Sequence, residues 1–257
     1  MVRQDLSRIQ EPGKSTSGEL AYQANLQAYF NDSVGTDIEK LQNFTKYVPR
    51  QSISYFLAKY ELFKRVLNIQ GSIIECGVYL GGGLMTFAQL SAIFEPVNHQ
   101  RKIVGFDTFA GFATLTEQDQ KGTSAHSTPG GLFVEPGVAE DLDRCIELYD
   151  SNRFVGHIPK ASVVKGDIKE TIPQYIEDNP HTVVSLLYLD VDVFEPTKVA
   201  IEYLVPRMPK GGIIAFDELN SERWPGETLA ALDTIGLGNL RIERFSFDPF
   251  LSFAAIE

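Results

Sequence analysis

The sequence predicts one α/β domain built on a doubly wound, mostly parallel sheet. From Gly71 onward, short apolar runs alternate with helical patterns five times, which is typical of parallel sheets. The second, fourth and fifth of these runs end in Asp107, Asp190 and Asp217. The carboxyl ends of parallel strands lie on one edge of a sheet, and doubly wound folds bind their ligands there. We therefore expect the functional site at that edge.

The predicted sheet is Rossmann-like and has seven strands. Five parallel strands are expected at 73–76, 102–107, 162–165, 182–190 and 212–217. Two further β-rich runs, 241–247 and 250–256, are separated by Asp248-Pro249, which favours an antiparallel C-terminal pair. Helices are expected at 84–94, 141–150 and 168–177, with a crossover helix between the fourth and fifth strands.

Three segments are predicted along the chain. Residues 1–19 are polar and contain Pro and Gly, so they are expected to form a flexible arm. Residues 20–70 show aromatic-rich helical patterns interrupted by Pro49, and we interpret them as a helical extension that packs on the sheet, acts as a lid or forms an oligomer contact. The sheet domain occupies 71–257. It contains a Gly- and Pro-rich insertion at 108–140, and loops longer than ~15 residues are often functional.

The composition restricts the class of partner. The chain has 257 residues, 43% of them hydrophobic, and a formal net charge of -11. This charge argues against nucleic acid and against an anionic membrane as partners. Cys76 and Cys145 are the two cysteines, so no disulfide framework is indicated. No apolar run is long enough for a membrane span and no signal peptide is recognised, so we expect a cytoplasmic location.

The acidic strand ends predict a divalent metal site. Asp190 and Asp192 follow the fourth strand, and Asp217 and Glu218 follow the fifth. If these strands are adjacent, their ends lie roughly 4.8 Å apart. Like charges at that spacing raise one another's pKa unless a cation lies among them, and carboxylate oxygens favour Mg²⁺ or a similar ion.

The first strand leads into a glycine-rich turn, Glu75 to Gly83, that opens a helix. Tyr79 occupies the position of the second glycine of the dinucleotide fingerprint, so a pyrophosphate is not the favoured ligand. Glu75 can instead accept a hydrogen bond from a cationic amine. Asp107 suits the two hydroxyls of a ribose, with Phe109 facing an adenine ring, or else it caps a helix. Asp167 suits the adenine edge, although it is also a good helix start.

The order of five motifs resembles the macrocin O-methyltransferase family. The motifs are ECGVYLGG, VGFDTFAGF, KGDIKETIP, YLDVDVFEPT and PKGGIIAFDE, with WPG shortly after, and the match runs from about residue 43 to about residue 231. The family consists of class I S-adenosylmethionine-dependent, Mg²⁺-dependent enzymes that methylate sugar hydroxyls in antibiotic biosynthesis. The resemblance implies the same fold, a sugar or glycoside as substrate and a homo-oligomer.

The resemblance also implies roles for individual residues. It places Asp190, Asp217 and Glu218 on the metal and makes Asp192 the general base; the family usually has Asp-Asp where this chain has Asp217-Glu218. The cofactor site is expected to consist of Glu75, Gly77, Val78, Tyr79, Gly81, Asp107, Thr108, Phe109, Gly111, Asp167 and Asp190. Neither the arm before Leu20 nor the loop at 113–140 matches the family.

Three alternatives remain at this stage. The run Asp190 to Val193 also fits the D-x-D-x-V pattern of haloacid dehalogenase phosphatases, and D-x-D also occurs in metal-dependent glycosyltransferases. A non-catalytic binding protein that has kept the cofactor fold is the third. His126 in the insertion is a candidate for substrate contact, and Trp224 is a candidate for stacking on a sugar or for ordinary packing.

Overall fold

The structure is a computed structural model that describes residues 16–257. The first fifteen residues of the predicted arm lie outside the described residues. The chain divides into two compact units, with the division between Tyr55 and Phe56. This division lies inside a helix, about fifteen residues before the boundary expected at residue 70.

The described part of the first unit, residues 16–55, is mainly helical. It contains α1 (Ser17–Asp32), α2 (Asp37–Gln42) and the beginning of α3 (Arg50–Val66). Helix α1 starts at Ser17, inside the predicted arm, because Thr16 and Glu19 form a capping box around its first turn. Pro49, the predicted interruption, directly precedes α3.

The second unit contains one seven-stranded sheet. Its strands are β1 (Ser72–Cys76), β2 (Ile103–Asp107), β3 (Ala161–Lys165), β4 (Val184–Leu189), β5 (Ile213–Phe216), β6 (Glu243–Arg244) and β7 (Ser252–Ala255). The strand order is β3-β2-β1-β4-β5-β7-β6. Strands β1 to β5 pair in parallel, whereas β7 is antiparallel to both β5 and β6. The predicted doubly wound sheet with an antiparallel C-terminal pair is therefore confirmed.

Helices cover both faces of the sheet. The remaining helices are α4 (Gly82–Phe94), α5 (Val138–Ser151), α6 (Ile168–Asp178), α7 (Phe194–Leu204) and α8 (Gly226–Asp233). Residues of α6, α7 and α8 share one buried cluster with one face of the strands. Helices α4 and α5 contact strands β1, β2 and β3 on the sheet. None of the described helices combines the length and the apolar character that crossing a membrane requires.

Alternation along the strands decides which side chains join each face. Ile74 and Cys76 of β1 belong to the cluster under α6 to α8, together with Leu187 and Leu189 of β4. Glu75 and Tyr188 stand opposite each other in the β1–β4 register, and therefore point to the other face. The cluster is apolar, whereas the second face carries charged and hydroxyl groups next to the carboxyl edge.

The insertion after β2 is ordered around one buried carboxylate. Residues 108–137 contain a single short helical turn, Asp119–Lys121, and α5 begins at Val138. Asp119 is 3% exposed, and its Oδ2 accepts from the Thr116 backbone N–H at 2.7 Å. Its Oδ1 accepts from the Phe194 N–H at 2.7 Å. Since Val193 gives α7 no side-chain cap, Asp119 supplies one and ties the insertion to the segment after β4.

Candidate active site

The acidic strand ends lie level with one another. In the pairings of β1 with β2, of β1 with β4 and of β4 with β5, the last paired residues are Cys76, Phe106, Leu189 and Phe216. The residues that follow them are Gly77, Asp107, Asp190 and Asp217. Neighbouring strands are ~4.8 Å apart, so these residues form a row along the carboxyl edge. The strand order reverses between β1 and β4, which is where doubly wound folds form their ligand crevice. The predicted convergence on one edge is confirmed.

The glycine-rich turn is tight because β4 ends beside it. Gly77 has φ +89°, and a Cβ there would lie 1.7 Å from the Asp190 carbonyl oxygen. Tyr79 has φ 52° and Gly81, which caps α4, has φ 86°. Glycine is thus required at position 77 mainly because the end of β4 leaves no room for a Cβ. Val78 is buried, whereas Tyr79 is exposed beside the crevice.

Asp107 holds this turn in place. Its Oδ2 accepts from the Val78 and Tyr79 backbone N–H groups at 2.7 and 2.8 Å. Its Oδ1 accepts from the Phe109 N–H at 2.7 Å. A carboxylate has about four acceptor positions, so one position on Oδ1 remains for a ligand. The ribose contact stays a prediction. The structure shows that Asp107 also fixes the backbone of the glycine-rich turn.

The start of the insertion forms a compact turn next to Asp107. Thr108 Oγ1 donates to the Gly111 carbonyl at 2.7 Å. Gly111 has φ +77°, and a Cβ there would lie 2.4 Å from the Gly131 carbonyl oxygen. Phe109 has φ 53° and is 8% exposed, so only a small part of its ring is open to a ligand.

Asp167 serves as the N-cap of α6. Its Oδ1 accepts from the Lys169 backbone N–H at 3.0 Å, and Lys169 Nζ lies 3.4 Å from its Oδ2. The structure thus agrees with the helix-start alternative for this residue. Its contact with an adenine edge stays a prediction.

Glu75 is buried and paired with a lysine that the sequence analysis did not single out. Glu75 is 1% exposed, and its Oε1 lies 3.3 Å from Nζ of the fully buried Lys59. Burial raises the pKa of Glu75 to about 7, although the Lys59 charge lowers it. Among the described residues, Glu75 Oε2 has no hydrogen-bond partner. A buried acceptor without a partner, close to the glycine-rich turn, fits the predicted ammonium group of a cofactor.

The four acids after β4 and β5 influence one another's ionisation. Burial, and then the Asp190 charge, raises the pKa of Asp217 to about 7. Burial, followed by the charges of Asp190, Glu218 and Asp217, raises the pKa of Asp192 well above its usual range. A divalent cation would relieve this repulsion, and the oxygen donors suit Mg²⁺. Within residues 16–257, however, no three acidic, His or Cys side chains are already arranged around a metal position. The donors fit Mg²⁺ in kind, and the metal site stays a prediction.

The backbone separates Asp192 from Asp190. Asp192 has φ 62°, in the left-handed region, and the Val193 N–H donates to the Val191 carbonyl at 2.6 Å. A Cβ on Gly226 would lie 2.5 Å from the Asp192 carbonyl oxygen, so α8 begins in close contact with this turn. The strand alternation therefore ends at Asp190, which agrees with different roles for the two acids.

Two further residues of the edge, Glu227 and Tyr188, were assigned no role from the sequence. Glu227 is fully buried, and its Oε2 accepts from the Glu218 backbone N–H at 3.0 Å. The Tyr188 hydroxyl donates to Asp217 Oδ1 at 2.8 Å. No spacing rule indicates Glu227, because it reaches the edge through the turn before α8. Lys59 had a usable signal, since it occupies the buried face of α3 among apolar residues at helical spacing.

Trp224 packs inside the protein. It is 7% exposed, and its ring centre lies 5.4 Å from that of Phe112 in the insertion. Ordinary packing, the simpler of its two interpretations, thus describes its environment. His126 lies in the same insertion, where its backbone carbonyl accepts from the Thr128 N–H at 2.7 Å; its contact with a substrate stays a prediction.

The strand order and the two-part edge define a class of protein. A glycine-rich turn after β1, an acid after β2 and acids after β4 and β5 surround one crevice in a sheet whose last strand pair is antiparallel. This is the arrangement of class I methyltransferases, as the sequence motifs predicted.

The comparisons with known proteins identify the family. Residues 60–228 match the model of the family described as macrocin-O-methyltransferase (TylF). The crystal structure of CalS11, calicheamicin methyltransferase, shares 33% sequence identity over 94% of this chain and 93% of that chain, with a TM-score of 0.90. No curated protein matches in a search by sequence. The chain belongs to the macrocin O-methyltransferase family and is an S-adenosylmethionine-dependent O-methyltransferase.

Two other solved structures extend this result. Apo CalS11, described as TDP-rhamnose 3'-O-methyltransferase, shares 30% identity over 94% of this chain and 95% of that chain, with a TM-score of 0.82. The O-methyltransferase NovP shares 18% identity over 80% of this chain and 78% of that chain, with a TM-score of 0.58, and supports the fold alone. The phosphatase, glycosyltransferase and non-catalytic alternatives are not supported.

Proposed function

We propose that this enzyme methylates a hydroxyl group of a sugar, as part of a glycosylated natural product or its nucleotide-linked precursor, in antibiotic biosynthesis. The support is its similarity to CalS11, whose descriptions name calicheamicin and TDP-rhamnose. The observation that carries the proposal is the row of Gly77, Asp107, Asp190 and Asp217 along the edge. It brings a candidate cofactor half and a candidate acceptor half of the site next to each other.

The cofactor half is proposed around β1 and β2. S-adenosylmethionine, when bound, supplies a methyl group activated by its sulfonium. Glu75 Oε2 is positioned to accept from the amine of the cofactor, and the open position on Asp107 Oδ1 can accept from a ribose hydroxyl. The exposed Tyr79 and the turn from Gly77 to Gly81 border this half. The main contribution of these residues is alignment of donor and acceptor.

The acceptor half is proposed around β4 and β5. Asp190, Asp217 and Glu218 would hold a divalent cation such as Mg²⁺, which supplies Lewis-acid activation of a hydroxyl. Asp192, whose backbone lies in the left-handed region, is the proposed general base that accepts the hydroxyl proton. The insertion, which Asp119 ties to the start of α7, is the proposed wall of the sugar site.

Calorimetric titration tests the division into two halves. The wild-type enzyme should bind both S-adenosylhomocysteine and Mg²⁺. Asp217→Ala should lose Mg²⁺ binding and turnover and keep S-adenosylhomocysteine affinity within about threefold, since Asp217 is not assigned to the cofactor. Full turnover of the wild-type enzyme in the presence of a chelator would reject the metal site.

A further inference from the structure

A buried set of side chains connects the two halves of the site. It consists of Lys59, Glu75, Tyr188 and Asp217. Lys59 Nζ lies 3.3 Å from Glu75 Oε1 and 3.2 Å from the centre of the Tyr188 ring. The Tyr188 hydroxyl donates to Asp217 Oδ1 at 2.8 Å. The Lys59 ammonium group therefore contacts the Glu75 carboxylate directly. It reaches the Asp217 carboxylate through Tyr188.

The sheet register explains why these groups meet. Glu75 pairs with Tyr188, and Tyr188 pairs with Ala215 on the next strand. Asp217 lies two residues beyond Ala215, so it emerges on the same face of the sheet. Lys59 reaches that face from α3, where the buried positions are 58, 59, 62, 63 and 66. Gly83 leaves the necessary room, since a Cβ there would lie 2.0 Å from Glu75 Oε1.

The burial of Lys59 has a cost that packing alone does not explain. Its side chain is fully buried, and an ammonium group taken out of water loses a large hydration free energy. A Met or Leu at this position would fill the space without that cost. The lysine gains an ion pair with Glu75 and the electron-rich face of Tyr188 in return. A cation over the ring also makes the phenol a stronger donor to Asp217. Its positive charge lowers the pKa of both Glu75 and Asp217, against the effect of burial.

We propose that Lys59 is a positioning residue for both halves of the active site. It holds Glu75 in place for the amine of the cofactor, and it holds the Tyr188 ring whose hydroxyl orients Asp217. The second part rests on the proposed metal site, whereas the first requires only the cofactor.

The first part is tested with Lys59→Met and S-adenosylhomocysteine. Without Lys59 the buried Glu75 is left without its cation and takes up a proton, so the affinity for S-adenosylhomocysteine should fall about tenfold. A double-mutant cycle with Glu75→Gln separates this effect from packing. If Lys59 acts through Glu75, Lys59→Met should have little further effect in the Glu75→Gln background. An equal loss in both backgrounds would show a packing role and overturn the proposal.

The second part is tested with Tyr188→Phe and Mg²⁺. This variant keeps the ring under Lys59 and removes only the hydroxyl on Asp217, so Mg²⁺ affinity should fall several-fold with S-adenosylhomocysteine affinity unchanged. Lys59→Met should lower Mg²⁺ affinity in the same direction. A rise in Mg²⁺ affinity would mean that the lysine merely repels the cation and would contradict the positioning role.

Lys160→Met is the matched control. Lys160 is 3% exposed, and its Nζ lies 4.0 Å from Glu95 Oε1. It directly precedes β3 and therefore lies at the amino ends of the strands, whereas the site lies at their carboxyl ends. Both affinities should be unchanged in this variant; equal losses in the two lysine variants would refute the assignment. If Lys59→Met does not fold, Tyr188→Phe tests the part of the proposal that concerns Asp217. The part that concerns Glu75 is then tested by comparing the S-adenosylhomocysteine affinity of Lys59→Arg with that of Glu75→Gln. If the wild-type enzyme binds no Mg²⁺, the metal site fails and the cofactor titrations still decide the role of Lys59 on Glu75.

Discussion

Single residues of this site perform structural and chemical tasks together. Asp107 accepts three backbone N–H groups and keeps one acceptor position on Oδ1. Asp192 stands in a left-handed conformation that only a few residue types adopt readily. Such a conformation costs of order 1–3 kcal/mol and is found mainly where the surrounding structure enforces it. The close approach of Gly226 to the Asp192 carbonyl holds the backbone in this conformation.

The general-base role makes a clear prediction for Asp192→Asn. The amide has nearly the same shape and cannot accept the hydroxyl proton, so the turnover number should fall by roughly 100-fold or more. Mg²⁺ affinity should stay within a few-fold, because Asp190, Asp217 and Glu218 remain. Steady-state kinetics and metal titration measure the two effects. Asp143→Asn, an exposed change of the same kind on α5, should alter neither, and an unchanged rate in Asp192→Asn would remove this residue as the base.

At the scale of elements, the ends of β1 and β4 define the centre of the site. The close approach of Gly77 to the Asp190 carbonyl is a contact between two strand ends, and it places the cofactor turn beside the first proposed metal ligand. The insertion is fixed to the same region by Asp119, which caps α7 directly after the D-x-D segment. The ends of these elements therefore place the acids at the carboxyl edge.

Replacing Gly77 by alanine should separate close approach from backbone strain. Gly77→Ala adds a Cβ that would lie 1.7 Å from the Asp190 oxygen at a φ of +89°. Gly137→Ala has a comparable φ of +97° and meets nothing within 4 Å. We expect a loss of about 3 kcal/mol or more in the free energy of unfolding for Gly77→Ala, and about 1–2 kcal/mol for Gly137→Ala. Denaturant unfolding measures both values; equal losses would show that the strand contact is unimportant.

At the scale of the whole molecule, cofactor binding should be linked to pH through Glu75. Its folded-state pKa is raised to about 7 by burial, with Lys59 opposing that effect and the charges of Asp107 and Asp217 adding to it. Below this pKa Glu75 is neutral and binds an ammonium group weakly. Above it the carboxylate is ionised, so affinity for the amine of the cofactor should increase as pH rises through about 7.

Thermal unfolding reports this linkage for the entire domain. A ligand that binds only the folded state raises the melting temperature, and the increase grows with the logarithm of its affinity. The increase caused by S-adenosylhomocysteine should therefore be larger near about pH 8 than near about pH 6, and Glu75→Gln should show a smaller, pH-independent increase. An equal increase at both pH values in the wild-type enzyme would contradict the assignment of Glu75.

Much of the fold was predictable because its signals are local. Alternating apolar runs predicted the five parallel strands, and Asp248-Pro249 predicted the antiparallel pair that is observed as β6 and β7. The edge acids were predictable because each directly follows a strand. Tyr188, Asp119 and Glu227 were not found, because their importance comes from contacts between segments that are distant in the chain. For Lys59 the sequence indicates a buried position on α3, but its pairing with Glu75 is again a contact between distant segments. The hydrogen bonds of Asp107 to the glycine-rich turn could not be predicted from the sequence for the same reason.

The most direct test of the central claim is methyl transfer itself. A TDP-linked deoxysugar is offered with S-adenosylmethionine and Mg²⁺, and the product is examined by mass spectrometry with and without a chelator. The proposed function predicts addition of one methyl group to a sugar hydroxyl, loss of product when the metal is chelated, and recovery when Mg²⁺ is restored. Methylation at full rate in the presence of the chelator, or methylation outside the sugar, would contradict it.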